Sequence, residues 1–346
     1  MMFRIFMLTA LSALTLANSP LHAGYSYYNG KVINTDYLPC MSVQEHFEAG
    51  MQAIQNEQWD AAETQFTIVA ENFPSTPYGQ EASYFLGVAQ YELEEYDFAN
   101  ESFSNYLKSR HNPRYFMEAI EYKFRIAECF KNGAKRRFFC TKQLPKWASG
   151  TSNALEIYDE VIAALPCHEL AARALFAKGN LLWSMREFRD SVDAFQMITR
   201  RFPKNELAPE SYILINRVYL DQCRYEFQNP DILALAKLNT RRFQQAFPRE
   251  ERLAEAELDV NEIEEVYAGG LYSTGRFYER TDKPLAAAIY YQNAINRFPD
   301  THVADLCRSR VECLAEAGIV APSAPTQNKD DLEDLDPELN EDEDLE

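Results

Sequence analysis

Glycine is scarce in this chain, twelve residues in 346. That excludes collagen, glycine-rich β-repeats and glycine-rich linkers. Histidine is scarcer still, five residues with none paired at helical spacing, and the seven cysteines include no C-x-x-C. A zinc site wants such a cluster, so no metal is expected. Also missing are G-x-G-x-x-G, a Walker loop, H-E-x-x-H and G-x-S-x-G. Acids such as Glu92, Glu94 and Glu95 lie along a helix pattern, where a solvated face is the default reading. The expectation is a chain that is not an enzyme and has no cofactor. Basic residues are outnumbered 34 to 53, a net charge of −19. Such a chain is a poor holder of nucleic acid by phosphate neutralisation.

No apolar run near the N-terminus is long enough to span a bilayer. Ile5–Ala17 is thirteen uncharged, mostly apolar residues behind Arg4, the pattern of a secretory signal core. Residues 1–23 are read as a signal peptide, cut after Ala23. The first cysteine, Cys40, follows Tyr37-Leu38-Pro39, which is no lipobox. Residues 24–41 are read as an extended segment and 42–318 as the repeat domain. Residues 319–346 are read as a disordered acidic tail: 329–346 alone hold eleven acids and one lysine, and like charges repel. Cys40, Cys129, Cys140, Cys167, Cys223, Cys307 and Cys313 are an odd set in an exported chain, so at least one is unpaired or intermolecular. Buried, inert thiols are expected.

What is present is a repeat. A small residue, an aromatic four later and a proline eight after that recur as Ala62-Phe66-Pro74, Ala154-Tyr158-Pro166, Ser191-Phe195-Pro203 and Ala287-Tyr291-Pro299. Ala99-Phe103-Pro113 carries two extra residues, and Ala236-Thr240-Pro248 loses the aromatic. Gly50, Gly179 and Gly275 stand 24 residues before their prolines, and Gly87 stands 26 before Pro113. This is the tetratricopeptide pattern. Glycine lets the paired helix approach, the aromatic fills the gap, and proline stops the helix. Trp59, Tyr96 and Phe188 supply the large side chain wanted at the turn.

The predicted fold is all-α, a tetratricopeptide-repeat superhelical solenoid of about six helix pairs plus a capping helix. Helices are expected at 42–56 and 60–72, 78–92 and 97–109, 114–131 and 151–164, 168–184 and 188–201, and 208–225 and 231–246. A helix over 250–267 precedes 270–281 and 284–297, and 301–317 caps the array.

Counting from each glycine, inward-facing first-helix positions are Phe47, Met51 and Ile54, then Tyr84, Val88 and Tyr91. Later repeats give Phe176, Asn180 and Trp183, and Tyr272, Arg276 and Glu279. They line a groove or form core between helices; as a groove, the aromatic N-terminal set suits an extended peptide. The stretch 131–146 is rich in lysine and arginine. Lys135, Arg136, Arg137, Phe138 and Phe139 there form a candidate contact loop for anionic head groups or an acidic partner surface.

The block AGMQAIQNEQWDAAETQFTIVAENFPSTPYGQEASYFLGVAQYELEEYDFA, the Phe138-Phe139 insertion and the block EVYAGGLYSTGRFYERTDKPLAAAIYYQNAINRFPDT resemble the BamD (ComL or YfiO) family. That family is the tetratricopeptide subunit of the outer-membrane β-barrel assembly machinery, and the likeness runs over about residues 42–305. It implies a non-catalytic scaffold on the periplasmic side of the outer membrane, peripherally associated with it. Its implied partners are the barrel-forming, BamA-like subunit, other assembly lipoproteins and unfolded outer-membrane protein precursors. The chain differs from the family in lacking the N-terminal lipidation cysteine, in an extra repeat near 168–203 and in the acidic tail. The CpoB (YbgF) coordinator of the Tol–Pal system shares the repeat and is the alternative resemblance.

Overall fold

In a computed structural model the chain is all-α, built of tetratricopeptide helix pairs. The structure describes residues 24–28, 31–34, 37–109, 113–137, 144–226 and 229–318; the signal and acidic-tail assignments, Phe138, Phe139 and Cys140 lie outside them. The chain divides into two compact units: residues 1–185 with 200–207, and residues 186–199 with 208–346.

In the first unit an antiparallel hairpin, β1 (Tyr25–Tyr28) with β2 (Lys31–Asn34), precedes the helices. Then come α1 (Val43–Gln55), α2 (Trp59–Asn72), α3 (Pro77–Glu92), α4 (Tyr96–Ser109) and α5 (Phe116–Lys131). A second hairpin, β3 (Lys135–Arg137) with β4 (Lys146–Ser149), occupies the insertion. It is followed by α6 (Thr151–Ala164) and α7 (Glu169–Ser184). The second unit holds most of α8 (Phe188–Arg201), then α9 (Leu207–Tyr225), α10 (Pro230–Ala246), α11 (Leu253–Arg280), α12 (Pro284–Arg297) and α13 (His302–Glu316).

Local chemistry explains the boundaries. Ser42 opens α1 with a reciprocal capping box to Glu45, satisfying two otherwise orphaned amides. Pro77, Pro230 and Pro284 sit in the first helical turn, where the missing N–H costs nothing. Phe73, Leu165, Phe247 and Phe298 close their helices directly before a proline, because proline forces its predecessor out of the helical region. His46 is fully buried. Its Nε2 accepts the amides of Cys40 and Met41, 3.2 Å each, and its Nδ1 lies 2.7 Å from Gln65 Oε1. The ring is therefore the Nδ1–H tautomer, and it holds the preceding segment against α1 and α2.

The glycine–aromatic pairing is physical. A Cβ on Gly50 would lie 2.8 Å from the Phe66 ring, on Gly87 2.9 Å from Phe103, and on Gly275 2.4 Å from Tyr291. Phe66, Phe103 and Tyr291 are completely buried. The backbone adds a regularity that the residue types conceal. Glu57, Glu94, Arg186 and Asp282 all adopt left-handed conformations, φ 55 to 65°, each seven residues after Gly50, Gly87, Gly179 or Gly275. There the chain reverses: the amides of Gln58, Glu95 and Lys283 donate to the carbonyls of Ala53, Gln90 and Tyr278, closing the helix end as a Schellman-type motif.

Two expectations are corrected. The helices expected at 250–267 and 270–281 are one, Leu253–Arg280. Gly269-Gly270 costs about 1 kcal/mol per residue in a helix, but Ile263, Ala268 and Gly275 are buried on both sides of the pair, and tertiary packing decides. The thiols are also not uniformly buried. Cys223 and Cys307 are, with burial pushing each thiol up to about 11, whereas Cys40, Cys167 and Cys313 are exposed.

Candidate partner-binding surfaces

The first unit gathers its aromatics into helix–helix packing. Phe47 packs 5.6 Å from Phe66, 5.1 Å from Tyr78 and 5.8 Å from Phe85, centroid to centroid. Met51 and Ile54 pack half-buried on the same cluster. Tyr84 is in the core, 7% exposed, stacked at 4.5 Å on Tyr115. Val88 and Tyr91 lie half-buried against that second cluster. The structure thus puts Tyr84 inside the protein, not on an open groove, and leaves its companions as the rims of helix contacts. The cause is the short connection: consecutive first helices come close enough to bury large rings, which favours packing over exposure.

In the second unit, Tyr272 packs beside Tyr291 at 5.7 Å. Glu279 is the centre of an ion network. It accepts from the Tyr291 hydroxyl at 2.8 Å, pairs with Arg310 of α13, and lies 3.6 Å from Arg276. Burial would raise its carboxyl, but the hydrogen bonds and the two guanidinium charges win and hold it low. Glu279 therefore ties α11 to α12 and α13, with Arg276 paired to it from within α11. Exposed apolar surface in this region comes instead from Phe277, Leu285 and Ile289, 54, 64 and 62% exposed.

In the basic insertion, several cations have partners within the chain. The Arg137 guanidinium pairs with Glu95 and its amide donates to Asp97 at 2.7 Å. Lys146 donates to the Glu94 carbonyl at 2.8 Å and lies 3.3 Å from Glu95, and Lys131 pairs with Glu128 at 2.6 Å. Three of the cations that suggested a contact loop are thus neutralised by neighbouring acids, and the β3–β4 hairpin is pinned over the start of α4. Lys135 and Arg136 belong to β3, Lys135 exposed and Arg136 half-buried; Trp147 of β4 is 66% exposed.

Sequence patterning missed one buried and one half-buried charge. Lys123 is 1% exposed, its ammonium donating to Asn100 at 2.8 Å and Ser104 at 2.6 Å and pairing with Glu160 at 2.6 Å. Burial lowers its pKa. Asp259 on α11 is raised to about 6 by burial, against the opposing pull of Arg217 at 3.9 Å. Among the described residues no three His, Cys, Asp or Glu side chains are grouped to hold a metal. No described helix is long and apolar enough to cross a membrane.

A chain of such helix pairs offers surfaces to other proteins. Residues 39–124 match the model of the YfiO family, described as an outer membrane lipoprotein. The match spans α1–α4 and half of α5, about a quarter of the chain, and the family is one of the cell envelope. No curated protein matches the chain. Among solved structures, MamA (residues 41 to end) of Desulfovibrio magneticus RS-1 is similar at 16% identity, over 60% of this chain and 97% of that one, TM-score 0.33. A TPR repeats protein of Bacteroides fragilis NCTC 9343 is similar at 12% identity, 79% and 99% coverage, TM-score 0.39. PilF of Pseudomonas aeruginosa is similar at 12% identity, 77% and 96% coverage, TM-score 0.30.

Proposed function

We propose that the chain is a non-catalytic scaffold subunit of outer-membrane β-barrel assembly, working on the periplasmic side of the outer membrane. The observation that carries the reading is the match of residues 39–124 to an outer membrane lipoprotein family, set on a repeat fold whose common use is to present extended binding surfaces. The C-terminal repeats, about 250–305, dock the periplasmic domains of the barrel-forming subunit. Phe277, Leu285 and Ile289 support this, as apolar side chains left uncovered where Arg276 and Glu279 are internally paired. The N-terminal repeats receive unfolded precursors along the half-buried rims of Phe47, Met51, Ile54, Val88 and Tyr91.

Affinity purification of the natively expressed, tagged protein tests the reading. Co-purification of the barrel subunit, reduced by Leu285→Ser with Ile289→Ser, is the expected result. Recovery of Tol–Pal or peptidoglycan-synthesis proteins without the barrel subunit would overturn it in favour of a cell-division coordinator.

A further inference from the structure

A cleft of about 270 Å³ opens in the second unit, between α10, α11 and α12. Leu233 and Leu271 form its aliphatic wall, and Tyr267 and Phe298, stacked at 6.3 Å, its aromatic one. Tyr290 and Arg297 complete it. Arg297 is exposed and, like the exposed Arg241, Arg242, Arg249 and Arg280, is not held by a carboxylate among the described residues. Arg217, Arg224, Arg252, Arg276, Arg308 and Arg310 each pair with a carboxylate. The Arg297 guanidinium instead lies 5.6 Å from the Phe298 ring and makes no ion pair among the described residues. In a chain with 53 acids, an apolar cleft edged by an arginine without a carboxylate is shaped for an aliphatic side chain that carries an acid beside it.

The chain contains such a ligand. Beyond α13 the sequence reads Asp331-Leu332-Glu333, Asp334-Leu335-Asp336, Glu338-Leu339 and Asp344-Leu345-Glu346, so each leucine stands next to a carboxylate. Between Glu316, the end of α13, and Asp331 lie fourteen residues, a reach of up to about 50 Å when extended. The cleft belongs to the unit that α13 packs in. We infer that the cleft is a binding site for leucine-plus-carboxylate peptide and that its resident occupant is the chain's own segment 329–346. A leucine enters between Leu233, Leu271 and Tyr267, and the adjacent carboxylate meets Arg297. Tethering supplies an effective concentration of about 1 mM, so even a weak contact is populated. An acidic-leucine peptide from a partner enters by displacing the tail. The inference stands whether or not the assembly reading does.

Zero-length carbodiimide coupling on the full chain tests it. Arg297→Lys keeps the charge and provides an amine that a touching carboxylate will couple to. The expected product is an amide link from position 297 to an acid within 329–346, found only within single molecules when ¹⁴N- and ¹⁵N-labelled protein are mixed. Changing Leu332, Leu335, Leu339 and Leu345 to Ser keeps every carboxylate and should cut the yield about tenfold, the loss of roughly one buried aliphatic side chain. Unchanged yield would mean indiscriminate attraction, and links only between molecules would mean that a second copy is the occupant; either overturns the inference. Without the lysine substitution, a labelled synthetic 329–346 peptide should bind the leucine-to-serine protein about tenfold more tightly than the wild-type chain, whose own tail competes. Equal affinities would also overturn it.

Discussion

The ring of Tyr291 lies flat against the backbone of Gly275, so that a Cβ there would sit 2.4 Å from Tyr291 Cε1. The same ring sends its hydroxyl to Glu279, one turn further along α11. One aromatic thus fixes both the spacing of α11 and α12 and the carboxylate that binds Arg310.

Gly275→Ala must push that ring aside in a packed interior. A loss of about 1–3 kcal/mol is expected, visible as a lower midpoint in urea with an unchanged slope. Gly269→Ala, in the same helix but with no atom within 4 Å of the added carbon, should be neutral or stabilising. Equal effects at the two positions would refute the packing role of Gly275.

Glu57 is exposed and left-handed, φ 56°. Its conformation costs an ordinary residue about 1–2 kcal/mol, whereas glycine adopts it freely and loses about 0.5–1 kcal/mol of unfolded-chain entropy. Glu57→Gly should therefore raise stability by about 0.5–1 kcal/mol. A fall in melting temperature would contradict the turn geometry.

Asp259 titrates higher in the folded chain, near 6, than an ordinary carboxyl at 3.8. A raised folded value means that its contribution is fully present below the unfolded value and is lost as pH rises through 6. Asp259→Asn should stabilise the protein at pH 7.5 by on the order of 2 kcal/mol. The gain should shrink to nothing near pH 4. Denaturation curves at both pH values would show it, and a pH-independent difference would exclude the titration.

Arg137 and Lys135 are two residues apart on β3 yet should behave oppositely. Arg137→Ala leaves Glu95 half-buried without its guanidinium and should cost about 1–3 kcal/mol. Faster hydrogen exchange in 135–137 and 146–149 should accompany it. Lys135→Ser should leave both exchange and melting temperature unchanged. If the two substitutions act alike, the hairpin is not held through Arg137.

Helix pairs, their order and the glycine–aromatic contacts were legible in the sequence, because a helix of fixed rise converts residue spacing directly into facing positions. Thr240 shows where that stops. The repeat has no aromatic there, and the structure substitutes a polar ladder: Asn216 donates to Thr240 and to the Ala256 carbonyl, Asn239 donates to Asn216, and Phe243 carries the core contact. No periodicity announces such a network, since its partners come from three helices. The left-handed turn residues were hidden for another reason: glutamate, arginine and aspartate there reveal nothing of a backbone conformation that helix packing imposes.

By itself the sequence determined an all-α repeat array, its acidic balance and the likeness of residues 39–124 to an outer membrane lipoprotein family. Tertiary structure decided which of the aromatic and charged side chains remain available. Tyr84 went into the core, Arg137 onto Glu95 and Glu279 onto Arg310, because burial and pairing depend on what a neighbouring helix presents. Arg297 kept a cleft lined by Leu233, Leu271 and Tyr267 beside it, a fact fixed by the packing of α10, α11 and α12.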